Sequence, residues 1–200
     1  MGFLIIQIMT NFFFLLYLIG GNMKLIGKGV FTEAYLLDNG KVFLKTPCWT
    51  KEALALFPVE GELFPRLERT SCGEYIMDYY EKTKGLKHFL KVEEYNFYVI
   101  LRHVFSTHAG KGKGYKFWHK IFADAYFNYG ETYKNKFFQL CEYLDTLANY
   151  DSDTICFEIS PRNVRSVEGK LLLLDCFYFN NQLHEIQTKR ILNNVLFNQF

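Results

Sequence analysis

The feature that most constrains this 200-residue chain is a loop, a tight turn and a buried strand near its end. Glu158 stands five positions before Asn163, a Glu-Gly-Lys turn follows, and a run of four leucines then ends at Asp175. The stretch places three side-chain oxygen groups on short segments. Hard cations such as Mg2+ take oxygen ligands and keep phosphates as partners. Glu158, Asn163 and Asp175 are therefore three candidate oxygen ligands for such a cation.

A glycine-containing loop lies near the other end of the chain. A predicted strand from Met23 leads into Gly27-Lys-Gly29-Val-Phe31, and a second strand runs through Leu37. Asp38-Asn-Gly40 is a strong hairpin signal, and the third strand, 41–45, ends on a lysine. Glycines let backbone N–H groups approach phosphate oxygens, and a lysine on a neighbouring strand adds a fixed positive charge. The alternative is a purely structural hairpin.

Taken together, the two ends resemble the protein-kinase family, which carries a glycine-rich loop, a strand lysine, an H-R-D-L-x-x-x-N loop and a D-F-G aspartate. The resemblance covers about residues 23–180 and is closest to compact bacteriophage and bacterial Ser/Thr protein kinases with a reduced C-terminal lobe. Several positions depart from the family pattern, among them Glu158 in place of the catalytic aspartate. Thr32 stands in place of the third glycine, Phe157 replaces the arginine, and Cys-Phe follows Asp175.

The resemblance implies a role for each residue of the two motifs. Lys45 would contact the α- and β-phosphates of ATP, Asn163 and Asp175 would bind Mg2+, and Glu158 would take the place of the catalytic aspartate. Glu52 is the nearest candidate partner for Lys45. The residues implied in nucleotide binding are Gly27, Lys28, Gly29, Phe31, Lys45, Met77 and Tyr79.

The implied fold is α+β with two lobes. Residues 23–80 would form a small antiparallel N-terminal lobe, and residues 81–200 a reduced, mainly helical C-terminal lobe. In the first lobe, two further strands are predicted over 63–68 and 74–80, with Tyr79 in the connection to the second lobe.

Apolar residues recur at three- and four-residue spacing in the second lobe. This predicts helices over 86–102, 117–129, 136–150 and 183–197. Between the first two, Gly110-Lys-Gly-Lys-Gly-Tyr-Lys116 is a basic loop. It is either a solvated linker or a contact for an acidic or phosphorylated substrate.

Residues 1–22 form an apolar leader, in which no Lys or Arg occurs before Lys24. Three interpretations of the apolar stretch 3–19 stay open: a membrane-associated segment, a strand or helix packed on the domain, or a segment upstream of a translation start at Met9 or Met23. The five scattered cysteines contain no C-x-x-C pair. They favour reduced thiols and a cytoplasmic location, which would be the host cytoplasm for a phage protein.

The function implied by the resemblance is an ATP- and Mg2+-dependent phosphotransferase, with a protein Ser/Thr kinase as the first expectation. A small-molecule or lipopolysaccharide-core kinase and a nucleotide-binding pseudokinase are the alternatives. The expected partners are ATP and a protein substrate, with membrane association through residues 3–19 as a further option. A net charge of +2 gives no electrostatic reason to expect nucleic acid.

Overall fold

The N-terminal part of the chain is a five-stranded antiparallel sheet with the strand order β1-β2-β3-β5-β4. This computed structural model describes residues 23–197, with side chains over 23–189. The strands are β1 (Lys24–Lys28), β2 (Glu33–Leu36), β3 (Lys41–Lys45), β4 (Glu68–Ser71) and β5 (Glu74–Asp78). The antiparallel N-terminal sheet predicted from the sequence is therefore present.

The turn between β2 and β3 follows from its Asp-Asn-Gly sequence. Gly40 takes a φ of 76°, which glycine adopts at little cost, and its N–H donates to the Leu37 carbonyl at 3.0 Å. Side chains then alternate along β3. Val42 and Leu44 face the main core, whereas Phe43 faces outward into a small cluster with Leu37 and Ile76.

A single helix, α1 (Trp49–Leu56), separates β3 from β4 and packs against the helical lobe. The buried Tyr143 hydroxyl donates to the Thr50 carbonyl at 2.7 Å, which fixes the first turn of α1 on that lobe. Ala53 and Leu54, both buried, make the apolar contact. Residues of α1 are thereby held against the second lobe as well as the sheet.

The segment 57–67 is irregular, so the strand predicted over 63–68 is wrong except at its last residue. Leu63 donates its N–H to the Gln139 side chain at 3.1 Å and accepts a hydrogen bond from Leu173 N–H at 2.8 Å. These bonds tie the backbone to the second lobe instead of to a strand of the N-terminal sheet. Burial of Leu63, Phe64 and Leu67 in the main core reinforces that attachment.

The second lobe is mainly helical, as predicted. Its helices are α2 (Val92–His108), α3 (Tyr115–Tyr129), α4 (Lys134–Ala148) and α5 (Asn180–Phe197), with 3-10 turns at Leu86–His88, Glu131–Tyr133 and Pro161–Asn163. Phe122, Leu140 and Leu144 are fully buried on facing sides of α3 and α4. The predicted helix over 86–102 is divided, because a 3-10 turn ends before α2 begins at Val92.

Two small antiparallel pairs lie between α4 and α5. Strand β6 (Ile155–Phe157) pairs with β9 (Phe177–Phe179), and β7 (Val164–Val167) pairs with β8 (Lys170–Leu173). Val164 and Leu173 are buried with the apolar faces of β6 and β9 in the core that also receives the sheet side chains. The predicted two-lobe α+β architecture is confirmed. Within residues 23–197, no helix has the length and apolar character needed to cross a membrane. The apolar leader lies outside the described residues.

Candidate active site

The two small strand pairs place three oxygen-bearing side chains at one point. Glu158 N–H donates to the Cys176 carbonyl at 2.9 Å, one residue beyond the β6–β9 pairing. Leu174 N–H donates to the Asn163 carbonyl at 2.8 Å, one residue beyond the β7–β8 pairing. Asp175 therefore lies between two anchored residues, with Glu158 and Asn163 bonded to its immediate neighbours.

The turn that carries Asn163 is closed by its own backbone. Asn163 N–H donates to the Ser160 carbonyl at 2.9 Å. The Ser160 hydroxyl accepts from Arg162 N–H at 3.4 Å, which caps the short 3-10 turn. From α2, Arg102 donates to the Ile159 carbonyl at 3.3 Å. The loop from Glu158 to Asn163 is thus supported at both ends and in its middle.

Lys51, on α1, is the cation that the structure brings to this point. Its Nζ donates to the Leu174 carbonyl and lies 3.2 Å from Oδ1 of Asp175. The residue is only 5% exposed. A buried ammonium is costly unless it is paired and hydrogen-bonded, and both conditions are met here. Lys51 therefore joins the first lobe to the predicted metal ligand of the second.

Lys45 does not line the cleft. It stands opposite Glu33 on β2 and Glu74 on β5, on the outer face of the sheet. The hydrogen bonds from Lys28 and Tyr35 lower the pKa of Glu33, and the charge of Lys45 adds to that shift. The physical reason is strand alternation: Leu44 faces the cleft, so its neighbour Lys45 points away. Lys45 is therefore not placed to contact a phosphate in the cleft, and the lysine that lines the cleft beside Asp175 is Lys51.

The predicted partner of Lys45 also has another role. Glu52 follows Lys51 on α1, but its carboxylate pairs with Arg69 on β4 at 3.2 Å. Successive helix residues point in different directions, so Glu52 faces the sheet edge while Lys51 faces Asp175.

The glycine loop forms the roof of the cleft. Gly27, Lys28, Gly29 and Phe31 all line it, as the sequence predicts. Gly29 N–H donates to the Thr32 carbonyl at 2.8 Å, which closes the turn between β1 and β2. A Cβ atom on Gly27 or Gly29 would meet no heavy atom closer than 3.7 Å. The turn itself therefore does not require glycine at these two positions. The absence of side chains instead leaves the backbone N–H groups open to a ligand in the cleft.

The cleft between the lobes has a volume of about 920 Å³. Ala34, Val42, Leu44 and Met77 supply an apolar wall from the sheet, and Tyr79 and Tyr80 lie at the connection between the lobes. Arg165, on β7, donates to the Tyr80 carbonyl at 3.1 Å, and burial lowers its pKa. The remaining lining residues include Glu158, Ser160, Arg162, Asn163, Asp175, Tyr178, Leu183 and Gln187.

The floor beneath Asp175 is apolar and holds two protonated groups. Burial raises the pKa of the Cys176 thiol well above its usual value, and the charge of Asp175 acts in the same direction. Burial also raises the pKa of the Tyr143 hydroxyl. Both groups stay neutral at physiological pH, so neither of them adds negative charge beside Asp175. A charge placed over an apolar floor interacts more strongly with a bound cation than one in bulk water.

The polar groups of the cleft fit Mg2+ bound together with a nucleoside triphosphate. Asn163 and Asp175 supply oxygen atoms, Lys51 supplies a positive charge, and the glycine loop supplies backbone N–H groups. Mg2+ uses one or two protein oxygens together with waters and phosphates, so it needs no dedicated protein cage. Within the described part of the chain, no group of three His, Cys, Asp or Glu side chains is placed to hold a metal by itself.

Comparisons with known proteins give structural matches only. No protein-family model and no curated protein matches the sequence. Among solved structures, ADP-bound aminoglycoside phosphotransferase APH(2'')-Ib matches at 13% identity and a TM-score of 0.40, over 85% of this chain and 71% of that chain. The streptomycin–ATP complex of APH(2'')-IIa matches at 14% identity over the same shares, also at 0.40. A GDP and kanamycin complex of APH(2'')-IIIa matches at 11% identity, over 77% and 66% of the two chains, at 0.34.

At these scores, the interpretation of the cleft rests on its own geometry. Ten residues were implied in nucleotide binding, metal binding or catalysis, and all of them except Lys45 line one cavity. The sequence interpretation missed Lys51, Arg162 and Arg165. The signal against Lys45 was present in the pattern Lys-Val-Phe-Leu-Lys, where both lysines share a face with Phe43. No local signal identifies Lys51, because its partners lie more than 120 residues further along the chain.

Proposed function

We propose that this chain is a Mg2+- and ATP-dependent phosphotransferase acting on a hydroxyl group of a small molecule. The observation that carries the proposal is the joining of Lys51 to Asp175 directly beside the anchored Glu158 and Asn163. Phosphoryl transfer asks a protein mainly for positioning and for neutralisation of charge. The cleft residues supply both.

Each side chain has a defined part in the proposed reaction. Lys51 and the loop N–H groups bind phosphate oxygens, and Asn163 and Asp175 hold Mg2+, which neutralises charge on the phosphates. Glu158 accepts the proton of the acceptor hydroxyl while that oxygen bonds to the γ-phosphorus and the bond to the ADP oxygen breaks with its electron pair. The apolar wall that includes Val42 and Met77 packs against the adenine ring of ATP.

A small-molecule acceptor is favoured over a protein by the segment after Asp175. Only Cys176 separates Asp175 from β9, and α5 begins at Asn180, directly after β9. The described chain therefore has no long segment there to support an extended peptide. Instead, Leu183 and Gln187 of α5 line the cleft. A cavity of about 920 Å³ lies within the range of small-molecule sites.

The test is transfer of radiolabelled γ-phosphate from ATP to a cell extract that is separated into protein and small-molecule fractions. We expect Mg2+-dependent label in the small-molecule fraction, which Asp175→Asn removes. Label in the protein fraction alone would indicate a protein kinase instead. Nucleotide binding without transfer to either fraction would indicate a non-catalytic nucleotide-binding protein.

A further inference from the structure

The charges that line the cleft are unequally distributed. Four cations line it, and the only carboxylates among the described lining residues are Glu158 and Asp175. Asp175 already pairs with Lys51. An acceptor that carries several positive charges would therefore meet a single uncommitted carboxylate, Glu158.

Three of the four cations have structural partners. Lys51 is paired with Asp175, Lys28 lies 2.7 Å from Glu33, and Arg165 donates to three backbone carbonyls. Arg162 differs, because its guanidinium donates to no group in the described part of the chain, although its backbone is fixed by the turn. Arg162 immediately precedes Asn163 in the sequence, and both residues line the cleft.

The acceptor side of the cleft has one polar face. In the β6–β9 pair, Cys156 and Tyr178 stand opposite each other on the half-buried face, while Phe157 and Phe177 are buried beneath. Glu158 continues the half-buried face by one alternation, and Tyr178 lines the cleft with it. The surface next to the proposed base is therefore a tyrosine and α5 side chains, with no further acid among the described residues that line it.

The end of the basic loop is hydrogen-bonded to β6. Gly114 N–H donates to the Ile155 carbonyl on β6 at 2.7 Å, and Tyr115 N–H donates to the Ser152 carbonyl at 2.6 Å. Gly114 has a φ of 90°, and a Cβ there would lie 2.9 Å from the Ser152 carbonyl oxygen. The end of the loop is thus anchored behind β6. Lys113 is close enough to oppose the rise that burial causes in the pKa of the Cys156 thiol.

We propose that the phosphate acceptor is an anionic small molecule, bound in the cleft beside Glu158 by the Arg162 guanidinium. This inference rests on the phosphotransferase function proposed above and specifies its acceptor. The acceptor carries a carboxylate or phosphate group besides the hydroxyl that receives the γ-phosphate. Polycations such as streptomycin and kanamycin, named with the structurally similar enzymes, do not fit this charge pattern.

The test uses the full chain, γ-labelled Mg–ATP and a deproteinised bacterial metabolite extract divided by anion and cation exchange into anionic, neutral and cationic fractions. Kanamycin is assayed separately. We expect label in the anionic fraction and none on kanamycin. Label confined to the neutral or cationic fractions, or label on kanamycin, would overturn the inference. No label in any fraction, or no stabilisation by Mg–ATP, would instead overturn the phosphotransferase function.

Variants of Arg162 test the recognition itself. We expect Arg162→Ala to lower labelling of the anionic fraction by about tenfold to a hundredfold, the effect of losing a hydrogen bond to a charged group. Arg162→Lys should restore part of it. Arg66→Ala removes an exposed arginine outside the cleft and serves as the control. A rise in the KM for ATP without selective loss of the anionic acceptor would contradict the proposal, because Arg162 would then serve the nucleotide.

Discussion

The two sides of the cleft are built in different ways. On the side of the second lobe, Glu158, Asn163 and Asp175 follow from backbone hydrogen bonds between residues close together in sequence. On the side of the first lobe, the cation comes from α1 instead of β3, and Lys51 reaches its partners across more than 120 residues. Local turn geometry thus sets the oxygen ligands, whereas packing of a helix between lobes sets the cation.

The largest effect is expected at Asp175, where the two sides meet. Asp175→Asn keeps the side-chain shape but removes the charge that serves both Lys51 and Mg2+. Because metal-assisted charge stabilisation is worth several kcal/mol, transfer should fall about a thousandfold or more. Steady-state transfer rates measure this, with Asp78→Asn, an exposed carboxylate on β5, as the control. A loss below about tenfold would remove Asp175 from the proposed site.

A variant of Glu158 changes only the side of the cleft that the second lobe forms. General-base catalysis contributes about a hundredfold or more, so Glu158→Gln should lower the transfer rate by at least that factor. Stabilisation by Mg–ATP should persist, because Glu158 is not assigned to the nucleotide. Glu60→Gln, exposed and outside the cleft, should behave as the unmodified protein. Equal loss of nucleotide binding and transfer in Glu158→Gln would argue against a base.

Lys51 and Lys45 form a matched pair of variants for the first lobe. Lys51→Met should lower kcat/KM about a hundredfold, the effect of removing one preorganised electrostatic contact. Lys45→Met should stay within about twofold, because its side chain lies on the outer face of the sheet. Kinetics of both purified variants decide the comparison. The reverse order of effects would restore Lys45 to the phosphate site.

The smallest effect is expected at the contact that holds α1 in place. Tyr143→Phe removes the buried hydroxyl that donates to the Thr50 carbonyl. Unfolding free energy should fall by about 1 kcal/mol and Tm by about 3 °C. The transfer rate should fall less than in Lys51→Met. Thermal unfolding with Tyr126→Phe, whose hydroxyl bonds an exposed glutamate, gives the comparison. If Tyr143→Phe lost as much activity as Lys51→Met, the whole of α1, including Lys51, would have shifted in the variant.

The sequence predicted the parts of the fold that depend on local patterns. Asp38-Asn-Gly40 predicts the β2–β3 turn, and β3 has the predicted bounds. The failure over 63–68 has a tertiary cause, since Leu63 bonds to Gln139 and Leu173 of the second lobe instead of to a strand of the N-terminal sheet. Such partners are remote in sequence, and a short apolar run with a proline does not distinguish a strand from a segment packed on another lobe.

The candidate site follows the same division. Asn163 and Asp175 were predictable because a turn and a buried strand fix the ends of their loops. Lys45 was misplaced because the spacing after the glycine loop counts residues along the chain and does not state which face of β3 each side chain occupies. Arg162 was overlooked because an arginine in a polar loop has no distinctive pattern. Its importance appears only when the charges of the whole cleft are compared.

The most direct test of the account is stabilisation by a non-hydrolysable ATP analogue with Mg2+, measured by thermal unfolding of the unmodified protein, Lys51→Met and Lys45→Met. At a ligand concentration of about 100 Kd, the unmodified protein should gain about 2.7 kcal/mol and Lys45→Met the same. Lys51→Met should lose most of that gain. Full stabilisation of Lys51→Met, together with its loss in Lys45→Met, would contradict the assignment of Lys51 as the cation of the cleft.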